Sequence, residues 1–387
     1  MTIAYIYHLD AESPATQSGR PFAILSGLRD SRVRVLSAYP LRHTRLVTRR
    51  LRKIAALATC KQFLSDRHPA MLRDFANEAS QKLAGSSYDV VFSPSTLPLA
   101  FFETRKPVTV CADATFAAMV DYYPDYSRLS LGQRAFAENI EHQVLQRASL
   151  LVYSSEWAAN SAICHYGVAK ERVIVLPSGA NFGALNTRSD TMRWIEQRSF
   201  DNLELLFVGK EWERKGGNIA FNAFRLLRES GRNATLHIVG CSPPPHVAAH
   251  PCVRTHGHLG IANPTHHAKL TSLFARAHFL IVPSRAEAFG MVFCEANAFG
   301  VPAISTDTGG ISSTVRDGIN GYKLPIDAGP SAYAQLIDAL AADPSSYELL
   351  AVSSFAEFEQ RLNWRVWIRD YLEIVRTLAS HSPAHRS

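Results

Sequence analysis

The chain has 387 residues, 47% hydrophobic and 19% charged, which is enough for two domains with a core each. Its formal charge of +7 and pI of about 9.1 favour anionic partners without naming one. No run of 18 apolar residues occurs and MTIAYIYHLD is too short and too soon acidic for a signal peptide, so the expectation is a cytoplasmic protein with no membrane span.

Strands and helices alternate along the chain, the pattern of α/β domains built on mainly parallel sheets. In the first half, strands are predicted at 3–8, 33–37, 89–93, 108–112, 150–153 and 172–176, and helices at 21–29, 70–84, 131–147 and 156–166. Residues 41–53, LRHTRLVTRRLRK, hold six basic residues and no acid, interleaved with Leu41, Leu46, Val47 and Leu51. This pattern fits peripheral contact with an anionic membrane, on the inner face, or a solvated helix face. No nucleic-acid motif accompanies the charge. The polar stretch 179–202 reads as a linker. Beyond it, strands are predicted at 203–208, 235–239, 253–256, 279–282 and 303–305, and helices at 218–229, 265–276, 290–299 and 331–341. Residues 363–378 read as one amphipathic helix with Trp364, Trp367 and Tyr371 on neighbouring turns. The expected division is 1–180, 181–362 and a terminal helix in 363–387. Six scattered cysteines without a CxxC read as core thiols, and fifteen histidines show no metal spacing.

The densest signal is VPSRAEAFGMVFCEANAFGVPAISTDTGG, residues 282–310. Glu287 falls at the tip of a strand, and Glu295 about a turn and a half into the next helix. In an open parallel sheet that tip is where ligands bind, and two acids there can grip the hydroxyls of a sugar and of a ribose. The helix of Glu295 reads as buried nearly all round, so its carboxylate needs a partner. LFVGKEWERKGG, residues 205–217, follows a strand and precedes a helix. Lys210, Arg214 and Lys215 there suit a pyrophosphate. In TDTGGISS the Gly-Gly turn is expected to free the amides of Gly310, Ile311 and Ser312 for an anion. A glycosidase pair would also use two carboxylates, but a hydrolase of plain glycosides has no diphosphate for a basic loop to hold. In the first half, Asp113 ends a strand near Tyr122, Tyr123 and Tyr126, a composition that suits a carbohydrate acceptor or ordinary packing.

The block Glu287-Ala288-Phe289-Gly290, Glu295-Ala296, Gly300-Val301-Pro302 and Gly309-Gly310 resembles the signature of retaining glycosyltransferases of family 4. Weaker matches in YSSEWAAN, VIVLPSGANF and LFVGKEWERKGG extend it over most of the chain. The resemblance implies the GT-B fold: two Rossmann-like, doubly wound domains with an inter-domain cleft, the last helix crossing back onto the first domain. It implies transfer of a hexose from a nucleotide-diphosphate sugar, UDP-sugar first and GDP- or ADP-sugar next, to a carbohydrate, lipid-linked or other hydroxyl acceptor. The anomeric configuration would be retained and no metal cofactor is expected. Lys215 matches the lysine that holds the donor diphosphate, and Lys210 or Arg214 takes the second basic role. Glu287 would accept from the sugar hydroxyls, the amides near Phe289 and Gly290 would orient the ring, and Glu295 would clasp the ribose. The loop at Gly19 resembles one that approaches the donor phosphate or the acceptor. Two departures stand out: Ser312-Ser313 where a glutamate is usual after the Gly-Gly pair, and Asp113 with Thr115 where many relatives carry a histidine. They give weight to one alternative, a non-catalytic carbohydrate-binding subunit; a nucleotide-sugar epimerase or hydrolase on the same fold is the other.

Overall fold

A computed structural model describes residues 1–42, 64–182 and 187–380. The chain divides into two compact units, Met1–Leu176 with Trp367–Ser387, and Pro177–Val366.

In unit 1 the strands are β1 (Thr2–Ile6), β2 (Arg34–Ala38), β3 (Val90–Ser93), β4 (Val108–Ala112), β5 (Leu150–Tyr153) and β6 (Val173–Val175). They form one parallel sheet in the order β2-β1-β3-β4-β5-β6. Ile3 to Tyr7 are fully buried, as expected of a strand covered on both faces, and this is why the strands read as continuous apolar runs. The helices between them are α1 (Arg20–Asp30), α2 (Pro69–Leu83), α3 (Phe116–Met119), α4 (Leu131–Arg147) and α5 (Glu156–Cys164). Ser130 and Ser155 cap the last two by accepting from the amides of Gln133 and Ala158. Residues 43–53 of the basic segment lie outside the described residues. Leu41, at its edge, is buried in the unit 1 core.

Unit 2 repeats the plan. Helix α6 (Arg188–Glu196) precedes β7 (Leu203–Val208), α7 (Gly217–Glu229), β8 (Ala234–Val239), α8 (Pro245–Ala248) and β9 (Val253–Thr255). Next come α9 (Pro264–Arg276), β10 (Phe279–Val282), α10 (Met291–Asn297), β11 (Ala303–Thr306), β12 (Gly321–Leu324), α11 (Pro330–Ala341) and α12 (Pro344–Gln360). The parallel sheet runs β12-β11-β10-β7-β8-β9. The final helix, α13 (Trp364–Ser380), contributes to unit 1 from Trp367 onward. There the Trp367 indole donates to the Leu176 carbonyl at 3.2 Å, and the Tyr371 hydroxyl lies 2.7 Å from that of Thr109.

Three elements depart from the sequence reading. The stretch taken as a linker contains α6, whose Thr191 and Ile195 are buried against unit 2. Its polarity comes from the outward face. Strand β12, GYKL, is too short and too polar to read as one; pairing to β11 creates it. Helix α12 was legible but not taken: Asp343 caps it, accepting from the amides of Ser345 and Ser346. Tyr347, Leu350, Ala351, Ser354, Phe355 and Phe358 then follow at helical spacing. Among the described residues no helix is long and apolar enough to cross a membrane.

Candidate active site

In the unit 2 sheet β7 and β10 are neighbours, but the chain proceeds from β7 to β8 on one side and from β10 to β11 on the other. Connections that leave adjacent strands in opposite directions open a crevice at their carboxyl ends. The two loops bordering it are 209–216 and 283–290. One main-chain and one side-chain hydrogen bond tie them: the Arg285 amide donates to the Arg214 carbonyl at 2.7 Å, and Arg214 Nη1 donates to the Ala286 carbonyl at 2.8 Å. Gly216 makes the approach possible. Its φ is 73°, and a Cβ there would lie 1.9 Å from the Pro283 carbonyl oxygen. Gly216→Ala therefore combines strain with a backbone clash. We expect a loss of about 3 kcal/mol or more, read as a Tm lower by roughly 10 °C in thermal unfolding. An unchanged Tm would show that the loops are not held this way.

This closure brings Lys215 and Glu287 together. Both are 9% exposed, and the Lys215 ammonium is bonded to the Glu287 carboxylate. Arg214 Nη1 lies 3.8 Å from the same carboxylate, and the rest of its guanidinium is held by Glu211 at 2.7 and 3.0 Å. Of the two candidates for the second basic role, the structure places Arg214 beside Glu287 and leaves Lys210 exposed. Phe289 is buried, and its carbonyl accepts from the Thr314 hydroxyl at 2.6 Å. Gly290, with φ 84°, starts α10.

Glu295 is less enclosed than the sequence suggested. Phe293, Cys294, Ala296 and Asn297 are buried, but Met291, Val292 and Glu295 share a half-buried face of α10. Its partner is a protein group, the backbone amide of Asn181. Burial pushes the Glu295 carboxyl up from 4.5 to about 7, while the Asn181 amide and Lys215 pull it back only in part. An acid whose pKa is raised on folding binds its proton more tightly in the native state, so stability falls as pH rises from 4.5 to about 7. Glu295→Gln removes that slope. With allowance for its partial exposure, the wild type should lose on the order of 2 kcal/mol relative to the variant between pH 5 and 8. Urea unfolding across that range measures it, and parallel profiles would refute it.

The Gly-Gly turn lies against this site but is not open as expected. The Gly310 amide donates to the Glu287 carbonyl at 2.9 Å, and the Ile311 amide to Thr308 at 3.2 Å. Two of the three amides predicted to await an anion are thus taken within the protein. Ser312, standing where a glutamate is usual, donates its hydroxyl to Asp307 at 2.7 Å.

Unit 1 has its own cluster at the carboxyl edge of its sheet. Asp113 follows β4, and its Oδ1 contacts Arg20 Nη1 and the Ser154 hydroxyl, both at 3.2 Å. Arg20, 2% exposed, also donates to the carbonyls of Cys111 and Pro94 at 3.3 and 3.4 Å. Gln17, Ser18 and Gly19 take successive left-handed conformations, φ 44°, 55° and 84°, and turn Arg20 inward at the start of α1. The sequence reading singled out Asp113 and Gly19 but missed Arg20, Ser154 and Asn181. Nothing in the local sequence marks Arg20 as buried, since its acid lies 93 residues away.

Residues 202–343 match the family model described as glycosyl transferases group 1. The chain is 30% identical over 217 residues to D-inositol 3-phosphate glycosyltransferase 1 of Catenulispora acidiphila, covering 53% of this chain and 52% of that protein. It is 30% identical over 239 residues to the D-inositol 3-phosphate glycosyltransferase of Streptomyces bingchenggensis, 58% and 52% respectively. The chain spans about half the length of these curated relatives. Sucrose-phosphate synthase from Thermosynechococcus elongatus superposes with a TM-score of 0.69 at 18% identity, covering 99% of this chain and 100% of that one. HepE of Anabaena, solved in complex with UDP, gives 0.65 at 16%, with 97% and 100% covered. The fold is GT-B. In this GT-B chain the family match runs from β7 through α11, and so contains Lys215, Glu287, Glu295 and the Gly-Gly turn.

Proposed function

We propose that the chain is a retaining glycosyltransferase that moves a hexose from a nucleotide-diphosphate sugar to a hydroxyl acceptor. The observation that carries this reading is the meeting of Lys215, Arg214 and Glu287 at the switch point of unit 2, with Glu295 on the helix that follows. Lys215 and Arg214 would hold the diphosphate and stabilise it as it leaves. Glu287, released from Lys215 by the incoming phosphate, would accept from a sugar hydroxyl. Glu295 would take the ribose. The C1–O bond to the diphosphate breaks as the bond to the acceptor oxygen forms on the same face, and the acceptor proton passes to a departing phosphate oxygen. No covalent nucleophile is needed. Asp113, held by Arg20 and Ser154, would orient the acceptor on unit 1.

UDP is the first choice of nucleotide, in line with the UDP and UDP-glucose complexes of HepE. The names of the curated relatives point to a polyol phosphate among the acceptors to try. A thermal-shift series with UDP, GDP and ADP tests the donor assignment. A ligand at about 100 times its Kd stabilises the native state by about 2.7 kcal/mol. One nucleotide should raise Tm by several degrees, and Lys215→Ala should remove most of the rise. No response to any of the three would sink the reading.

A further inference from the structure

We propose that Asn181 and Trp364 are positioning residues for Glu295, and that they set the preference of the donor site for a ribonucleotide over its 2′-deoxy counterpart. The proposal rests on the donor reading above and deepens it at the ribose.

The chain enters unit 2 at Pro177 and leaves it at Val366. Within the unit these two passages lie side by side, and the Ala180 amide donates to the Leu362 carbonyl at 3.1 Å. The exit passage is fixed by Asn363, which is buried. Its Nδ2 donates to the carbonyls of Phe358 and Glu359 at 2.7 and 3.0 Å and so closes α12. Its Oδ1 accepts from the Val366 amide at 3.0 Å and so caps α13. One side chain thus ends one helix and starts the next, and the turn it fixes aims the following residue, Trp364. The Trp364 indole donates to Asn181 Oδ1 at 2.7 Å.

The entry passage is fastened to α10 at three points. The Cys294 thiol donates to the Ser178 carbonyl at 3.4 Å. Asn181 Nδ2 donates to the Met291 sulfur at 3.5 Å. The backbone amide of Asn181 donates to the Glu295 carboxylate. Met291 and Glu295 stand one turn apart on one face of the helix. Asn181 therefore grips both ends of that turn, one with its side chain and the other with its backbone. Trp364, by holding the carboxamide oxygen, keeps the whole residue in place.

This grip acts on Glu295 in two ways. It aims the carboxylate, and it favours the charged form. A carboxylate that clasps two ribose hydroxyls accepts a hydrogen bond from each. Its roughly four lone-pair sites suffice for both and for the Asn181 amide. Protonation would put a donor where an acceptor is needed. Burial favours that neutral form, and the Asn181 amide opposes it more than Lys215 does. Loss of the Asn181–Trp364 bond would misaim the carboxylate and neutralise it together. A bond that merely stapled the fold would have no effect confined to the ribose.

Isothermal titration of the full chain at pH 8 with UDP, 2′-deoxy-UDP and inorganic pyrophosphate makes the test, with the corresponding GDP and ADP pairs beside them. The wild type should prefer the ribonucleotide by roughly tenfold or more, the size of one hydrogen bond to a charged group. Asn181→Ala should cut that preference to about threefold or less and leave pyrophosphate affinity unchanged. Trp364→Phe keeps an aromatic ring and removes the indole N–H. It should move the ratio the same way, and it guards against a folding defect in the first variant. Three outcomes would overturn the proposal and leave the nucleotide-sugar assignment standing: a ratio unchanged in both variants, a parallel loss of all three ligands, or a wild type indifferent to the 2′-hydroxyl. A wild type that binds no nucleotide at all would strike the donor assignment and this proposal with it.

Discussion

Lys215→Ala is expected to lower turnover of the donor by two to three orders of magnitude. A single preorganised charge aimed at a departing diphosphate is worth about 3–4 kcal/mol in the transition state. The variant carries a second effect that its sequence position would not reveal. Glu287, 9% exposed, loses its bonded cation, while Arg214 Nη1 stays 3.8 Å away. Stability should therefore fall as well, by about 1–3 kcal/mol, the cost of taking a bonded partner from a buried charged group. Release of nucleoside diphosphate measured beside thermal unfolding separates the two effects. Turnover near the wild-type level in a folded variant would dismiss Lys215 as a diphosphate ligand.

Glu287→Gln should be nearly as damaging to transfer, about 10²-fold or more, but with a different signature. The amide cannot hold the Lys215 ammonium as a carboxylate does, so Lys215 becomes free for phosphate. Free UDP, which has no sugar to position, should bind at least as tightly as to the wild type, while turnover of the UDP-sugar collapses. Isothermal titration with UDP and a donor-turnover assay give the two numbers. Weakened UDP binding in this variant would mean that Glu287 serves only to shape the loop.

Much of this architecture was readable in the chain. Strands such as β1 and β10 are buried on both faces and so appear as unbroken apolar runs between turn residues. The pieces of the unit 2 site were readable too, because Lys215-Gly216, Glu287 and Glu295 each sit where a strand gives way to a helix. What stayed hidden was pairing over distance. Arg20 and Asp113 meet only because β1, β3 and β4 are neighbours in the sheet. Asn181 reaches Glu295 from 114 residues away. The direct bond between Lys215 and Glu287 was not anticipated either, since both had been assigned to a ligand. Strand β12 shows the same limit for secondary structure. At Gly321 a Cβ would stand 2.0 Å from the Ala303 carbonyl oxygen, so the contact that makes the strand also dictates its residue.

The amide of Gly310 that meets the Glu287 carbonyl has a mechanical consequence. It buttons the turn after β11 to the tip of the loop after β10, while Arg285 and Arg214 fasten that loop to the one after β7. Three segments distant in sequence are thereby laced into one collar. A disturbance at any one of them, such as lengthening the 307–310 turn, should loosen the grip on phosphate and on sugar in the same step rather than one at a time.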